Sequence, residues 1–186
     1  HTAFAKGGKL SEEDYAFFEA RAKGSPAAIT QVVGVNDEGT ADSMPNVTDE
    51  SFFDAEKRIT DMIHSYGTKH IVQLFHRGRN AASDKGLKPI APSNVPSGIY
   101  RNECEVMTAE KIEETVKAFA DAALKLKEIG VDAVEVSMSA GYLLSLFFSP
   151  ITNLRDDEYG GDEERRMKAP LDVLRAIRKA VGKDYP

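Results

Sequence analysis

The chain has 186 residues, 41% apolar and 29% charged, enough for one sizeable core and so for one domain or part of a larger one. Its formal net charge of -6 offers no lysine and arginine stripe to nucleic acid phosphates or to an anionic membrane. Cys104 is the only cysteine, which excludes an internal disulfide, a thiolate zinc site and an iron-sulfur cluster built from this chain, and makes a reducing, cytoplasmic setting the default.

Taken in chain order, Ser11 followed by Glu12, Glu13 and Asp14 sets an N-cap and acids at the positive end of a helix running to about Lys23, before Gly24. Ala27 to Val35 is short and β-rich, hence a strand. Thr48 is the expected cap of a second helix, in which Phe52, Ala55, Ile59, Met62, Ile63 and Tyr66 follow the spacing of one buried face until Gly67. KHIVQLF, 69–75, reads as the next strand. A third helix opens after Thr108, with Ile112, Val116, Phe119, Ala123 and Leu126 as its core stripe, and ends at Gly130. DAVEVSM, 132–138, is another strand, and a last helix covers roughly Glu163 to Val181 before Gly182. Pro170 within it predicts a local kink or a late helix start. His76 to Met107 has no periodicity and is much longer than ordinary strand-to-helix connections, which suggests a function-bearing loop. The longest apolar stretch, around Tyr142 to Phe148, falls far short of the ~20 residues of a membrane span, and no secretory leader pattern opens the chain.

Strands alternating with amphipathic helices imply βαβ units and a parallel sheet. A doubly wound sheet and a TIM barrel both fit. Neither the GxGxxG dinucleotide pattern nor a P-loop occurs, so the barrel is the better reading. About three strands and four helices fall short of the ~250 residues of a closed barrel. The expected fold class is therefore α/β, a partial (β/α)8 TIM barrel with roughly strands 2 to 4 and flanking helices. Residues 1–186 are expected to be its N-terminal part, incomplete at both ends.

Gln73 lies at the C-terminal end of the KHIVQLF strand, in QLFHRGR. A glutamine there either braces a loop or offers a donor and an acceptor to a ligand. His76, Arg77 and Arg79 form a cationic cluster, with Arg77 read as structural and Arg79 as structural or ligand-side. His64, His70 and His76 lack metal-ligand spacing, so no metal site is expected. Tyr142 follows a strand end, where a phenol of pKa about 10 holds its proton at neutral pH yet can deliver it as a general acid.

The run from Gly141 to Arg166, GYLLSLFFSPITNLRDDEYGGDEERR, resembles the GYLL...F.SP..N.R.D.YGG...NR signature of the Old Yellow Enzyme family of FMN-dependent NADH:flavin oxidoreductases. QLFHRGR resembles that family's QL..H.GR, and FFEARAKG, AITQVVGVNDEG, APS and RRMKAPLDVLRAIRKAVG resemble further family segments in order. The resemblance implies FMN as cofactor and NAD(P)H as electron donor, with Tyr142 giving a proton while reduced flavin delivers hydride to an activated double bond. It implies cofactor binding by Gln73, Thr2 and Val32 and substrate binding by Ser137 and His76.

Three departures qualify the expectation. Ser137 and Ala140 stand where most relatives carry a histidine with a second histidine or asparagine, and Ala140 donates no hydrogen bond. Loss of a preorganised donor costs on the order of 10²–10³ in rate. Val32 replaces a smaller residue expected beneath the flavin, and Arg165 replaces a common asparagine. The opening His1-Thr2 and the run VEVSMSAGYL resemble the 2,4-dienoyl-CoA reductase-like and enoate reductase-like branch, in which an iron-sulfur cluster and FAD belong to regions outside this chain. The reading is an ene-reductase acting on an enoate, enone or dienoyl thioester, a small-molecule substrate. No nucleic acid or membrane partner is expected, and the remainder of the barrel or a homo-oligomer completes it. The alternative is a catalytically silent barrel fragment or scaffold subunit that needs a partner chain.

Overall fold

The computed structural model describes residues 2–81, 86–101 and 103–186; His1 and its place in the resemblance lie outside the described residues, one of six such positions in all. The elements are α1 (Glu12–Ala22), β1 (Ala27–Gly34), α2 (Phe52–Ser65), β2 (Lys69–Phe75), β3 (Ile90–Ala91), β4 (Glu105–Val106), α3 (Ala109–Glu128), β5 (Ala133–Val136), α4 (Leu143–Phe148) and α5 (Glu163–Val181). Local chemistry sets the helix starts. Ser11 and Asp14 form a reciprocal capping box on α1, Thr108 accepts from the Lys111 N–H on α3, and Asp162 accepts from the Arg165 N–H on α5. No helix is long and apolar enough to cross a membrane among the described residues.

The main sheet is parallel, in the order β1-β2-β5, with α2 and α3 as the crossovers. One face of it carries Val33, Val72 and Leu74 into a core with Phe119, Ala123 and Leu126 of α3 and Val173, Ile177 and Val181 of α5. Each large side chain fully buried there is worth about 1.5–3 kcal/mol. Phe18 and Ala22 of α1 pack with Ile59 and Ile63 of α2 over Ala28.

The lower, N-terminal end of the sheet is tied by one carboxylate. Asp132 accepts from the His70 N–H at 2.9 Å, from Lys69 Nζ at 2.7 Å and pairs with His64 Nε2 at 2.6 Å. Burial alone would raise its pKa, but the bonds from His70, Lys69 and His64 outweigh it and hold the carboxyl at about 2. Above this, His70 is enclosed between Thr30, 3.1 Å from Nε2, and Thr60, 3.0 Å from Nδ1. Burial lowers His70 to about 4 and raises Glu56 to about 8, the latter helped by Asp14. Their 3.3 Å approach is therefore one of neutral groups near pH 6, not an ion pair.

Three expectations are corrected. Thr48 does not cap α2. Its hydroxyl turns to Asp37 Oδ1 at 2.5 Å, while Asp49 holds the turn through the Ser51 N–H at 2.9 Å, so the helix starts at Phe52 with Ser51 as an N-cap whose side chain does not cap the helix and instead donates to Asp49 Oδ1. Pro170 brings no late start, because α5 begins at Glu163 and continues past it to Val181. The strand in DAVEVSM is shorter than expected, ending at Val136.

Candidate functional site

β1 and β2 run in register from Ala27 to Ile29 and again from Val32, with one extra residue of β1 between. This bulge turns both Thr30 and Gln31 into buried positions, Thr30 toward His70 and Gln31 onto Asp14 at 2.9 Å. It also sets Val32 opposite Gln73, and Gln73 in turn lies opposite Glu135 of β5. Register partners share a face, so Val32, Gln73 and Glu135 form one row across the sheet, each partly exposed. Gln73 Nε2 donates to Glu135 Oε1, and Gln73 Oε1 takes no bond from other described residues. Glu135 was missed in the sequence, although the alternation of VEVS sets it on the same face as Ser137.

The chain beyond β5 reverses sharply. Ala140 at φ +57° and Gly141 at φ +74° are consecutive left-handed residues, and the Tyr142 N–H closes onto Ser139 O at 3.2 Å. Tyr142 thereby becomes the N-cap of α4. Its half-buried ring meets Phe75 edge-on, 4.5 Å between centroids, in a cluster with Val32, Ala41 and Met44. Its hydroxyl makes no hydrogen bond to other described residues. Ser137 follows β5 directly, its N–H donating to Leu74 O at 3.0 Å.

The loop after β2 supports this turn from behind. Leu143 N–H donates to His76 O at 3.0 Å, and Asn80 Nδ2 donates to Gly141 O at 3.2 Å. Gly78, at φ +57°, lies against the Leu143 backbone so closely that a Cβ would come within 2.9 Å of it. The contact requires glycine on both counts.

His76, expected as a substrate contact, is buried. Its ring is 1% exposed and seated on Gly39, where a Cβ would come within 2.4 Å, and Nδ1 accepts from the Gly78 N–H at 3.0 Å. Burial, with Lys111 nearby, lowers its pKa to about 3. Arg79 donates to Val95 O and Pro96 O at 3.3 and 3.2 Å, and Arg77 to the Tyr100 hydroxyl at 2.9 Å, so both brace the long loop. Thr2 stands beside β1, its hydroxyl 2.6 Å from both Asp14 Oδ1 and Gln31 Oε1. Val32, Gln73, Ser137 and Tyr142 are thus brought to the upper part of the sheet, Thr2 flanks β1, and His76 lies buried against Gly39.

Much of the run from Asn153 to Gly160 is a clamp. Asn153 Nδ2 donates to Phe147 O at 2.9 Å and Tyr159 O at 2.7 Å, and Thr152 Oγ1 to Leu146 O at 2.8 Å. Arg155 reaches Pro92 O at 3.2 Å and Met107 O at 2.5 Å and pairs with Asp157. Gly160 packs on Arg155, where a Cβ would come within 2.4 Å. The long loop and the segment after α4 are held together by these bonds.

Comparison with known proteins gives a consistent result. The NADH:flavin oxidoreductase / NADH oxidase family profile matches residues 1–185. The chain is 39% identical to a metal reductase of Desulforamulus reducens, over all of this chain and 28% of that protein. It is 36% identical to an NADH oxidase of Thermoanaerobacter brockii, over 96% of this chain and 28% of that protein. Among solved structures, a 2-naphthoyl-CoA reductase in complex with 2-naphthoyl-CoA superposes with a TM-score of 0.92 at 31% identity, over 100% of this chain and 31% of that one. Old Yellow Enzyme from Pichia sp. AKU4542 gives 0.89 at 28% identity, over 98% and 52%. The chain spans little more than a quarter of the first two relatives.

Proposed function

The chain belongs to the NADH:flavin oxidoreductase / NADH oxidase family, and from that premise we propose that the protein carrying it reduces an activated carbon-carbon double bond, with Tyr142 as the proton donor. Its α/β fold is part of a (β/α)8 barrel, matching the barrels of Old Yellow Enzyme-like structures. FMN, reduced by NAD(P)H, supplies the hydride when bound. Gln73 fits such a group, because its amide presents an acceptor and a donor to a ring edge that has an N–H between carbonyls. Val32 fits too, its methyl groups absorbed by Phe75, Ala41 and Met44. Thr2 is the third proposed cofactor contact.

The observation that carries the reading is the Tyr142 hydroxyl. The residue is half-buried in the cluster that includes Val32, its ring is fixed edge-on by Phe75, and no other described residue takes up its proton. That arrangement suits a general acid that must release the proton to a carbon gaining electron density. Ser137 is proposed to donate to the substrate carbonyl, with no second donor from Ala140. A substrate with a carbonyl already activated, such as an unsaturated acyl thioester, suits a site with one donor, and the likeness to 2-naphthoyl-CoA reductase supports that class. The remainder of the barrel completes the enzyme, which we place in the cytoplasm.

Replacing Tyr142 by Phe in the full-length FMN enzyme is expected to slow alkene reduction by roughly 10²–10⁴. Reduction of the flavin by NAD(P)H, followed separately by stopped flow, should be unchanged. Normal alkene turnover by that variant would remove Tyr142 as the acid.

A further inference from the structure

Glu135 has no role in the proposed chemistry, yet its side chain makes one hydrogen bond among the described residues, and that bond comes from Gln73 Nε2. We infer that Glu135 is a positioning residue for the cofactor, fixing the Gln73 amide so that its carbonyl oxygen and remaining N–H are offered to the flavin. The inference rests on the proposed contact between Gln73 and FMN.

A primary amide has two orientations of nearly the same shape, with nitrogen and oxygen exchanged. Packing cannot choose between them; a neighbour that only donates or only accepts can. A carboxylate only accepts, so Glu135 selects the orientation with Nε2 toward β5. Val32, on the other side of Gln73 in the same row, offers neither donor nor acceptor and does not compete. The parallel register of β2 with β5 pairs Gln73 with Glu135 directly, Leu74 with Val136 following. With Nε2 engaged, Oε1 and one N–H are left, an acceptor beside a donor. That is the complement of a pyrimidine edge presenting an N–H beside a carbonyl. A glutamine at 135 would keep the shape and lose the selection, since it can donate to Oε1 as readily as accept from Nε2.

The test uses the full-length FMN protein and reads cofactor affinity and flavin midpoint potential, with melting of the apoprotein as a check on folding. Glu135→Gln is expected to weaken FMN binding about tenfold, the loss of roughly one well-formed hydrogen bond. It should also raise the midpoint potential, because an acidic group beside the pyrimidine opposes the negative charge gained on reduction. Glu135→Asp should recover part of the affinity. The exchanged pair, Gln73→Glu with Glu135→Gln, restores a carboxylate-amide bond across the strands, and is expected to fold normally while binding FMN poorly. Gln73→Ala separates the two readings. If it weakens FMN binding while Glu135→Gln changes neither affinity nor potential, Glu135 has no positioning role and the Gln73 contact stands. If Gln73→Ala changes nothing, the Gln73 contact fails and the inference with it. Tight FMN binding by the exchanged pair would also overturn the inference.

Discussion

The two ends of the three-stranded sheet are built from the same parallel backbone and treat polar groups in opposite ways. At the lower end Asp132 gathers a backbone N–H, an ammonium and an imidazole, and its carboxyl is held well below the usual range. At the upper end the Tyr142 hydroxyl and Gln73 Oε1 are left without partners among the described residues. The difference teaches which end commits its polar groups to stability and which leaves them open, as the proposed function requires. A barrel divides its labour in the same way, with chemistry at the C-terminal ends of the strands.

The strongest way to break the contrast is to damage the upper end through its scaffold. Gly78→Ala introduces a left-handed alanine and a clash with the Leu143 backbone, and is expected to cost about 2–4 kcal/mol in urea unfolding. FMN affinity should fall with it, since the turn carrying Tyr142 must move. An unfolding curve matching the parent would mean that the loop yields without strain.

Asp132→Asn sharpens the contrast from the other side. The shift of its carboxyl from 3.8 to about 2 corresponds to about 2 kcal/mol at pH 7, with FMN affinity unaffected. The folded-state pKa is depressed, so this stability is present above pH 4 and is lost as pH falls toward 2. The gap between parent and variant should therefore close in acid; a gap of equal size at pH 7 and pH 2.5 would contradict the assignment. Thr108→Ala gives the smallest effect, about 1 kcal/mol from lost capping of α3. It acts near the upper end but should leave alkene reduction per folded enzyme intact, which activity normalised to folded protein would check.

Most of the scaffold was legible because local chemistry and tertiary packing agree. α3 follows Thr108 and α5 runs from Glu163 to Val181 as periodicity and caps imply, and β2 is KHIVQLF in full. Thr48 misled because a nearby acceptor, Asp37, outcompetes the helix terminus for its hydroxyl. β3, β4 and α4 are too short to carry a period, and they exist through contacts distant in sequence, such as Glu105 N–H to Pro89 O at 2.8 Å. At the site, Gln73 and Tyr142 stand out through the motifs QLFHRGR and GYLL and their resemblance to the family's, since residue type and position alone favour a bracing amide and a packed ring. His76 could not be judged that way, since its burial depends on Gly39. Glu135 gained its meaning only when β5 was seen to pair with β2.

The clamp built by Thr152, Asn153 and Arg155 closes on main-chain carbonyls of residues 92, 107, 146, 147 and 159. It is therefore indifferent to the side chains carried by the segment it secures, and it makes no contact with the identities of Ser137 and Ala140. Positions 137 and 140 can therefore change while that clamp stays fixed. Under the proposed function, this would let one electron-poor alkene be exchanged for another without rebuilding the turn that carries Tyr142.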